Sequence, residues 1–242
     1  MKPETIQKIL EQTKSDYNTI ASDFDQTRSY LWPGLFDFKK YVKAGDKILD
    51  LGCGNGKLRL LFKDLAVDYT GLDNSAELLK IAESRNDFKL AKQNFIQADI
   101  SSLPLADNSF DIIFFIAVFH HIPGNQLRLK VLTEVKRILK PGGVLIMTNW
   151  NRYQKEFLGQ LIHYTFLKII GKSDLDFKDI WLPWMQGKVH RYYHLFTLGE
   201  LKKLVIESGL EIQGNYLAYW GGKKASNFSY QKAANLVTIA KK

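Results

Sequence analysis

The 242-residue sequence contains a single cysteine, Cys53, so neither an internal disulfide framework nor a cysteine-built zinc site is open to it. It has no run of 18 apolar residues, and the segment Asp111–Phe119 is too short to span a bilayer. The opening stretch MKPETIQKILEQTKSDY carries charges throughout and lacks the apolar core of a secretory signal. There is no internal repeat and no low-complexity linker. Together these absences predict a cytoplasmic globular protein with no membrane association and no metal site.

What is present fits that class. The hydrophobic share is 45% and the charged share 24%, ordinary values for a globular chain. The length suits one α/β domain with an inserted subdomain. A balance of 34 Lys+Arg against 25 Asp+Glu gives a formal charge of +9. Such a surface attracts polyanions, because each phosphate contact releases condensed counterions. Simple solubility explains the same charge.

Apolar runs of strand length alternate with amphipathic helical stretches, which predicts a doubly wound, mostly parallel sheet. Lys47–Leu51 (KILDL) is followed by a glycine-rich turn and a helix from near Lys57. Asp68–Leu72 makes a second strand ending on Asp73, and Asn74 or Ser75 can cap the helix AELLKIAESR. Asn94–Gln97 is a third strand. Asp111–Phe115, apolar on both faces, reads as a central one. Gln126–Leu139 is a helix stopped by Lys140-Pro141-Gly142-Gly143, and Val144–Thr148 is the fifth strand. A last helix, Leu198–Ser208, precedes two runs, Glu211–Tyr219 and Asn235–Ala240, that flank GGKK and predict an antiparallel pair at one sheet edge. Residues 1–46 form a helical, aromatic arm, and residues 47–242 form the main domain, with an aromatic insertion at about 150–196. Arm and insertion both sit where they can cover a ligand at the strand ends.

Asp50-Leu51-Gly52-Cys53-Gly54-Asn55-Gly56 follows a strand and opens a helix, the place where open α/β sheets bind nucleotide-like ligands. Glycines at Gly52 and Gly54 let backbone approach the ligand without a Cβ in the way. Asp50 would repel a pyrophosphate but suits the ammonium of a bound amino acid. Asp73 can accept from both ribose hydroxyls. Asp99 can accept from an adenine amino group, with the Ile100 N–H donating to a ring nitrogen. A tight turn and three helix caps would explain each feature singly; three acids ending three successive strands favour a ligand crevice. The dinucleotide fingerprint G-x-G-x-x-G does not match, since the spacing is one residue short.

DLGCGNGK, GLDNS, FIQADI, LPLADNSFD and LKPGGVLIM resemble the signature segments of class I S-adenosylmethionine-dependent methyltransferases. That resemblance implies a seven-stranded sheet with an antiparallel last strand and S-adenosylmethionine as cofactor. It also implies cofactor contacts from Asp50, Gly52, Gly54, Asp73, Asp99 and Ile100, with Ala117 and His120 facing the methyl group.

The methyl acceptor has to be read from the additions to the core. The arm YNTIASDFDQTRSYLWPGLFDF, the segment IAVFHHI and the late DIWLPWMQGKVHRYYHLFTLGEL resemble the eukaryotic-type tRNA methyltransferases that methylate a carboxymethyl group on wobble uridine. In that family a Thr-Arg pair, a His-His pair and an RYYHLF segment are characteristic, here Thr27-Arg28, His120-His121 and Arg191–Phe196. The resemblance implies the anticodon loop of tRNA as substrate and a small zinc-containing activator subunit as a partner. Segment 150–181 lies outside it. A carboxylate is already nucleophilic, so the enzyme has to aim an anion rather than deprotonate one. Arg28 can hold it in a bidentate fork. His120 or His121 can position the uridine or its carboxylate; neighbours leaving a strand point apart, so one of the two is expected to be structural, and His120 is favoured for the site. Arg191, Tyr192, Tyr193 and His194 combine a cation, stacking faces and donors, as single-stranded RNA requires. Plainer roles stay open: Arg28 as a surface cation, Tyr192 or Tyr193 as core, Trp181, Pro183 and Trp184 as anchors, Lys223 and Lys224 as a hairpin tip. A small-molecule methyltransferase acting on a quinone or lipid precursor is the alternative.

Overall fold

The structure is a computed structural model that describes residues 1–28, 30–85, 90–219, 221–225 and 235–242. Its main strands are β1 (Lys47–Leu51), β2 (Asp68–Asp73), β3 (Lys92–Gln97), β4 (Phe110–Ile116), β5 (Leu139–Trp150), β8 (Glu211–Ala218) and β9 (Asn235–Lys241). They form one seven-stranded sheet in the order β3-β2-β1-β4-β5-β9-β8. β1 to β5 run parallel, and β9 runs antiparallel to both of its neighbours. The strand order reverses between β1 and β4, and at such a point the connections leave to opposite faces and a crevice opens at the strand ends.

Period-two alternation sorts the strand residues between two cores. Leu49, Leu51, Ile113, Phe115, Leu145 and Met147 face α4 (Asn125–Ile138) and α6 (Leu198–Glu207), meeting Val131, Leu132, Val135, Leu201 and Val205. Ile48, Ile112, Phe114 and Ile146 face the other way, onto Leu35, Phe38, Leu58, Leu61 and Phe62. β4 is therefore apolar on both faces, as a central strand must be. Truncating Phe114, which is fully buried, would cost about 3–5 kcal/mol.

Three elements differ from the sequence reading. The helix expected from Lys57 is a short 3-10 turn, Lys57–Phe62. Gly56 before it has φ 68° and no side chain to cap an α-helix, and the buried Arg59 takes the Gly56 carbonyl at 2.9 Å. The Lys140–Gly143 stop lies inside β5, which begins at Leu139; the ladder to β4 absorbs it as an irregularity between Phe110 and Ile112. The insertion holds α5 (Lys155–Ile169) and a separate hairpin of β6 (Asp179–Trp184) and β7 (Val189–His194). The segment Arg191–His194 is therefore extended.

The arm consists of α1 (Pro3–Thr19), α2 (Ala21–Thr27) and a 3-10 stretch Pro33–Tyr41. Polar contacts fasten it over the strand ends. Asn18 accepts from the Ser75 hydroxyl at 2.8 Å, and Ser75 in turn caps α3 (Ala76–Ser84) through the Leu78 N–H. Asp25 accepts from Asn55 at 2.7 Å and pairs with Arg85 at 2.8 Å. The GGKK turn folds back on the arm, where a Cβ on Gly222 would lie 2.6 Å from the Gly34 Cα.

Candidate active site

A cavity of about 290 Å³ opens at the C-terminal ends of β1, β2, β4 and β5, roofed by α1 and α2. At one end β1 delivers Asp50 and the glycine turn. Asp50 is buried and accepts from the Tyr69 hydroxyl at 2.7 Å. Burial pushes its carboxyl up to about 7 despite that bond, with the Asp73 charge adding to the rise and Lys57 and Arg59 opposing it, because a charge is costly in a dry site. Gly52 has φ 77°, and a Cβ there would sit 2.5 Å from a Val118 methyl, so only glycine fits. The Gly54 N–H donates to one Asp73 oxygen at 2.8 Å and the Ser75 N–H to the other at 2.9 Å. Each oxygen keeps a lone pair, and Asp73 lines the cavity. Burial raises the Asp73 carboxyl as well, against those N–H donors.

The other expected cofactor residues divide. Ala98 and Ile100 line the cavity. Asp99 between them is exposed and is not a lining residue; its carboxylate accepts from the Ser101 N–H at 2.7 Å, closing an Asx turn. Ala117 lines the cavity in the left-handed region at φ 57°, a conformation that costs a non-glycine residue about 1 kcal/mol or more. Two acceptors hold it there, the Thr148 carbonyl at 3.0 Å and hydroxyl at 3.1 Å.

At the opposite end both histidines line the cavity. His121 is fully engaged: its Nδ1 meets the Tyr192 carbonyl at 2.8 Å, so it carries the proton, and Nε2 accepts from the Tyr17 hydroxyl at 2.9 Å. Burial holds it down to about 3. His120 Nδ1 accepts from the Trp150 N–H at 3.4 Å, which leaves the proton on Nε2. Burial, with the neighbouring His121 and Arg191, keeps its pKa well below the usual value. Both rings are neutral donors rather than bases. The two residues sit on a short 3-10 turn, Phe119–His121, with ring centroids 4.5 Å apart, so the expectation that they diverge is not met.

β7 sorts the RYYH residues by parity. Arg191 and Tyr193 face the cavity. Tyr193 stacks on Trp150 at 4.5 Å and 11°, and His120 leans against it at 5.1 Å. Arg191 lies over the Tyr193 and Trp184 rings at 5.4 and 5.1 Å, with its buried Nε unpartnered. Tyr192 and His194 point the other way and line no part of the cavity, contrary to the expectation of one contiguous platform. The Tyr192 hydroxyl accepts from Arg128 at 3.1 Å. His194 bridges Asp179 and Glu200, the latter at 2.8 Å. Arg28, at the end of α2, lines the cavity. Thr27 is exposed and spends its hydroxyl on the Asp23 carbonyl at 2.8 Å, outside the cavity.

Sequence reasoning missed Lys57, Tyr17 and Trp150, all of which line the cavity. Lys57 ends the DLGCGNGK run and could have been found there. Tyr17 and Trp150 carried no signal beyond aromatic character.

A family model described as a methyltransferase domain matches residues 49–147. A crystal structure of an S-adenosylmethionine-dependent methyltransferase from Methanosarcina mazei is 26% identical, with a TM-score of 0.69 over 85% of this chain and 96% of its own. The domain is that of an S-adenosylmethionine-dependent methyltransferase. Among curated relatives, the Mus musculus tRNA (carboxymethyluridine(34)-5-O)-methyltransferase ALKBH8 is 34% identical over 160 residues, 66% of this chain. The chain spans 23% of the length of that relative. The Schizosaccharomyces pombe tRNA (carboxymethyluridine(34)-5-O)-methyltransferase is 29% identical over 215 residues, 80% of this chain and 86% of its own. The residues present fit the methyltransferase cofactor: among the described residues Asp50 has no cation in hydrogen-bond contact and is open to an ammonium, Asp73 is preset for a diol, and Gly54 presents bare backbone to the cavity, with Phe24 the nearest neighbour a Cβ would meet at 3.6 Å.

Proposed function

We infer that the protein methylates the carboxymethyl group of a wobble uridine in the anticodon loop of tRNA, forming a methyl ester. The observation that carries this reading is the make-up of the acceptor end. Among the lining residues the acids are Asp50 and Asp73, both at the cofactor end, and the histidines are neutral and tied down. Such a site has cations and stacking faces but no base, which suits an acceptor that is already an anion. When bound, S-adenosylmethionine supplies a methyl group on a sulfonium. Arg191 and Arg28 fork the carboxylate and turn one oxygen toward the Ala117 end of the cavity. Tyr193, backed by Trp150, gives the uracil a stacking face, and His120 offers its Nε2 proton. Closure of α1 and α2 over the cavity excludes water, which strengthens every charge contact within it. The names of the mouse and fission-yeast relatives agree with this acceptor, as does the formal charge of +9. A small zinc-containing activator subunit is a partner to test alongside.

One observation favours a second reading. Leu10, Phe24, Leu31 and Trp32 give part of the wall an apolar face, which a quinone or lipid precursor would also match. Incubation with labelled S-adenosylmethionine and tRNA bearing the carboxymethyl group, with and without such an activator, separates the two. A base-labile methyl ester on the tRNA supports the wobble-uridine reading. Label confined to small molecules overturns it.

A further inference from the structure

The amino-acid end of S-adenosylmethionine is a zwitterion, with an ammonium and a carboxylate on one carbon. Asp50 can answer the ammonium, so the carboxylate requires a cation near Asp50. Two cations line that part of the cavity, Lys57 and Arg28. Lys57 opens the 3-10 turn directly after Gly56, is half-buried, and makes no hydrogen bond or ion pair among the described residues. Asp25, the acid beside it, is already occupied by Asn55 and Arg85. The surroundings of the two cations differ. Lys57 and Asp50 act on each other electrostatically, whereas the Arg28 charge is felt at Lys57 and at Tyr193, toward the acceptor.

We propose that Lys57 binds the carboxylate of the cofactor's methionyl group, leaving Arg28 for the acceptor. An unpartnered cation inside a cavity is a standing cost that an anion relieves. Burial, with the Arg28 charge close by, lowers the Lys57 ammonium to about 8, so an arriving carboxylate would restore it. A lysine suits a single carboxylate whose partner ammonium already fixes its orientation, because it acts as a point charge without a fork of its own.

The test compares ligands that differ at this group alone. Binding of S-adenosylmethionine, decarboxylated S-adenosylmethionine and 5′-methylthioadenosine is measured by calorimetry on wild type, Lys57→Met and Lys57→Arg. Removing a charge-assisted hydrogen bond should weaken S-adenosylmethionine roughly ten- to a hundredfold in Lys57→Met. The decarboxylated compound and methylthioadenosine should bind the variant as they bind wild type, which also shows that it is folded. Lys57→Arg should recover most of the preference for the carboxylated ligand. Equal losses for all three ligands would make Lys57 a structural residue and overturn the proposal. Unchanged S-adenosylmethionine affinity with a raised KM for tRNA would assign Lys57 to the acceptor and overturn it too. The ligand-binding comparison decides the proposal by itself, since unchanged S-adenosylmethionine affinity alone overturns it, and that comparison does not depend on tRNA being the substrate.

Discussion

At the glycine-loop end of the cavity the ligand-facing groups come from one short stretch of sheet, β1 through the end of β2, and are fixed largely by backbone. Gly54 and Ser75 N–H groups orient Asp73, and a left-handed Gly52 sets the turn. At the histidine end, α1, the turn after β4, the end of β5 and β7 each contribute one or two side chains. These are held mainly by one another, through the Tyr17–His121 bond and the Tyr193–Trp150 stack. The first end is preset for a ligand common to a large class of enzymes. The second is assembled from additions to the core, and it can be rebuilt for another acceptor without disturbing the sheet. The comparison predicts that substitutions will separate cofactor binding from transfer.

The largest effect belongs to Asp73. Replacing it with alanine removes both acceptors for the ribose hydroxyls, and S-adenosylmethionine affinity should fall at least about a hundredfold, measurable by calorimetry. Across the cavity, Arg191→Met or Arg28→Ala should leave that affinity unchanged and lower kcat/KM for carboxymethyl-tRNA roughly a hundredfold or more. If Arg28→Ala kept full activity, the arm would not belong to the acceptor site. If it lowered cofactor affinity instead, the boundary between the two ends would have to move.

A pH profile sharpens the same boundary. The Asp50 carboxyl is raised to about 7 in the free protein, and the ammonium of the cofactor favours its ionised form. Cofactor affinity should therefore fall as pH drops below about 7, by at most about tenfold per unit, and should fall again above about pH 8, where the free protein's Lys57 loses its proton. The linkage to stability has the opposite direction. A carboxyl whose folded pKa is raised contributes stability at low pH, and that contribution is lost as pH rises from the unfolded value toward 7. Asp50→Asn should accordingly flatten the acid limb of the affinity profile, weaken binding above pH 7, and raise the Tm of the free protein at pH 8 more than at pH 5. No comparable dependence should come from the histidine end, since burial holds His121 at about 3 and His120 far below its usual value.

The unequal legibility of the two ends follows from their construction. KILDL, DYTGL and DIIFF declare themselves as strands by alternation and burial, and an acid ending a strand has a position fixed by the topology. Asp50 and Asp73 could thus be placed from sequence. Asp99 could not, because an exposed acid ahead of Ser101 has a local backbone donor to turn to. The 3-10 turn at Lys57 was illegible because leucine spacing over six residues fits either helix type. The RYYH segment is legible only in part for a different reason: its composition carries no period, and which residues share a face depends on the strand that pairs with it. Once β6 and β7 pair, the same four residues split into two that face the cavity and two that hold the hairpin to α4 and α6.

That split gives the smallest predicted effect on catalysis and the most direct check on the acceptor end. Tyr193→Leu removes the stacking face beside His120 and Trp150, and should lower kcat/KM for tRNA by roughly tenfold or more while cofactor affinity holds. Tyr192→Phe, one residue away, removes the acceptor of the Arg128 bond and the hydroxyl's contact with Asp179. Burial without that partner should cost about 1–2 kcal/mol of stability, read as a lower midpoint in urea, with kcat/KM within about twofold of wild type. The His121 anchor survives this change, because it uses the Tyr192 backbone carbonyl and not the ring. A Tyr192→Phe variant as inactive as Tyr193→Leu would mean that the hairpin presents its other face to the acceptor. A strand cannot present both faces to one cavity, so the pair of variants decides which face the substrate meets.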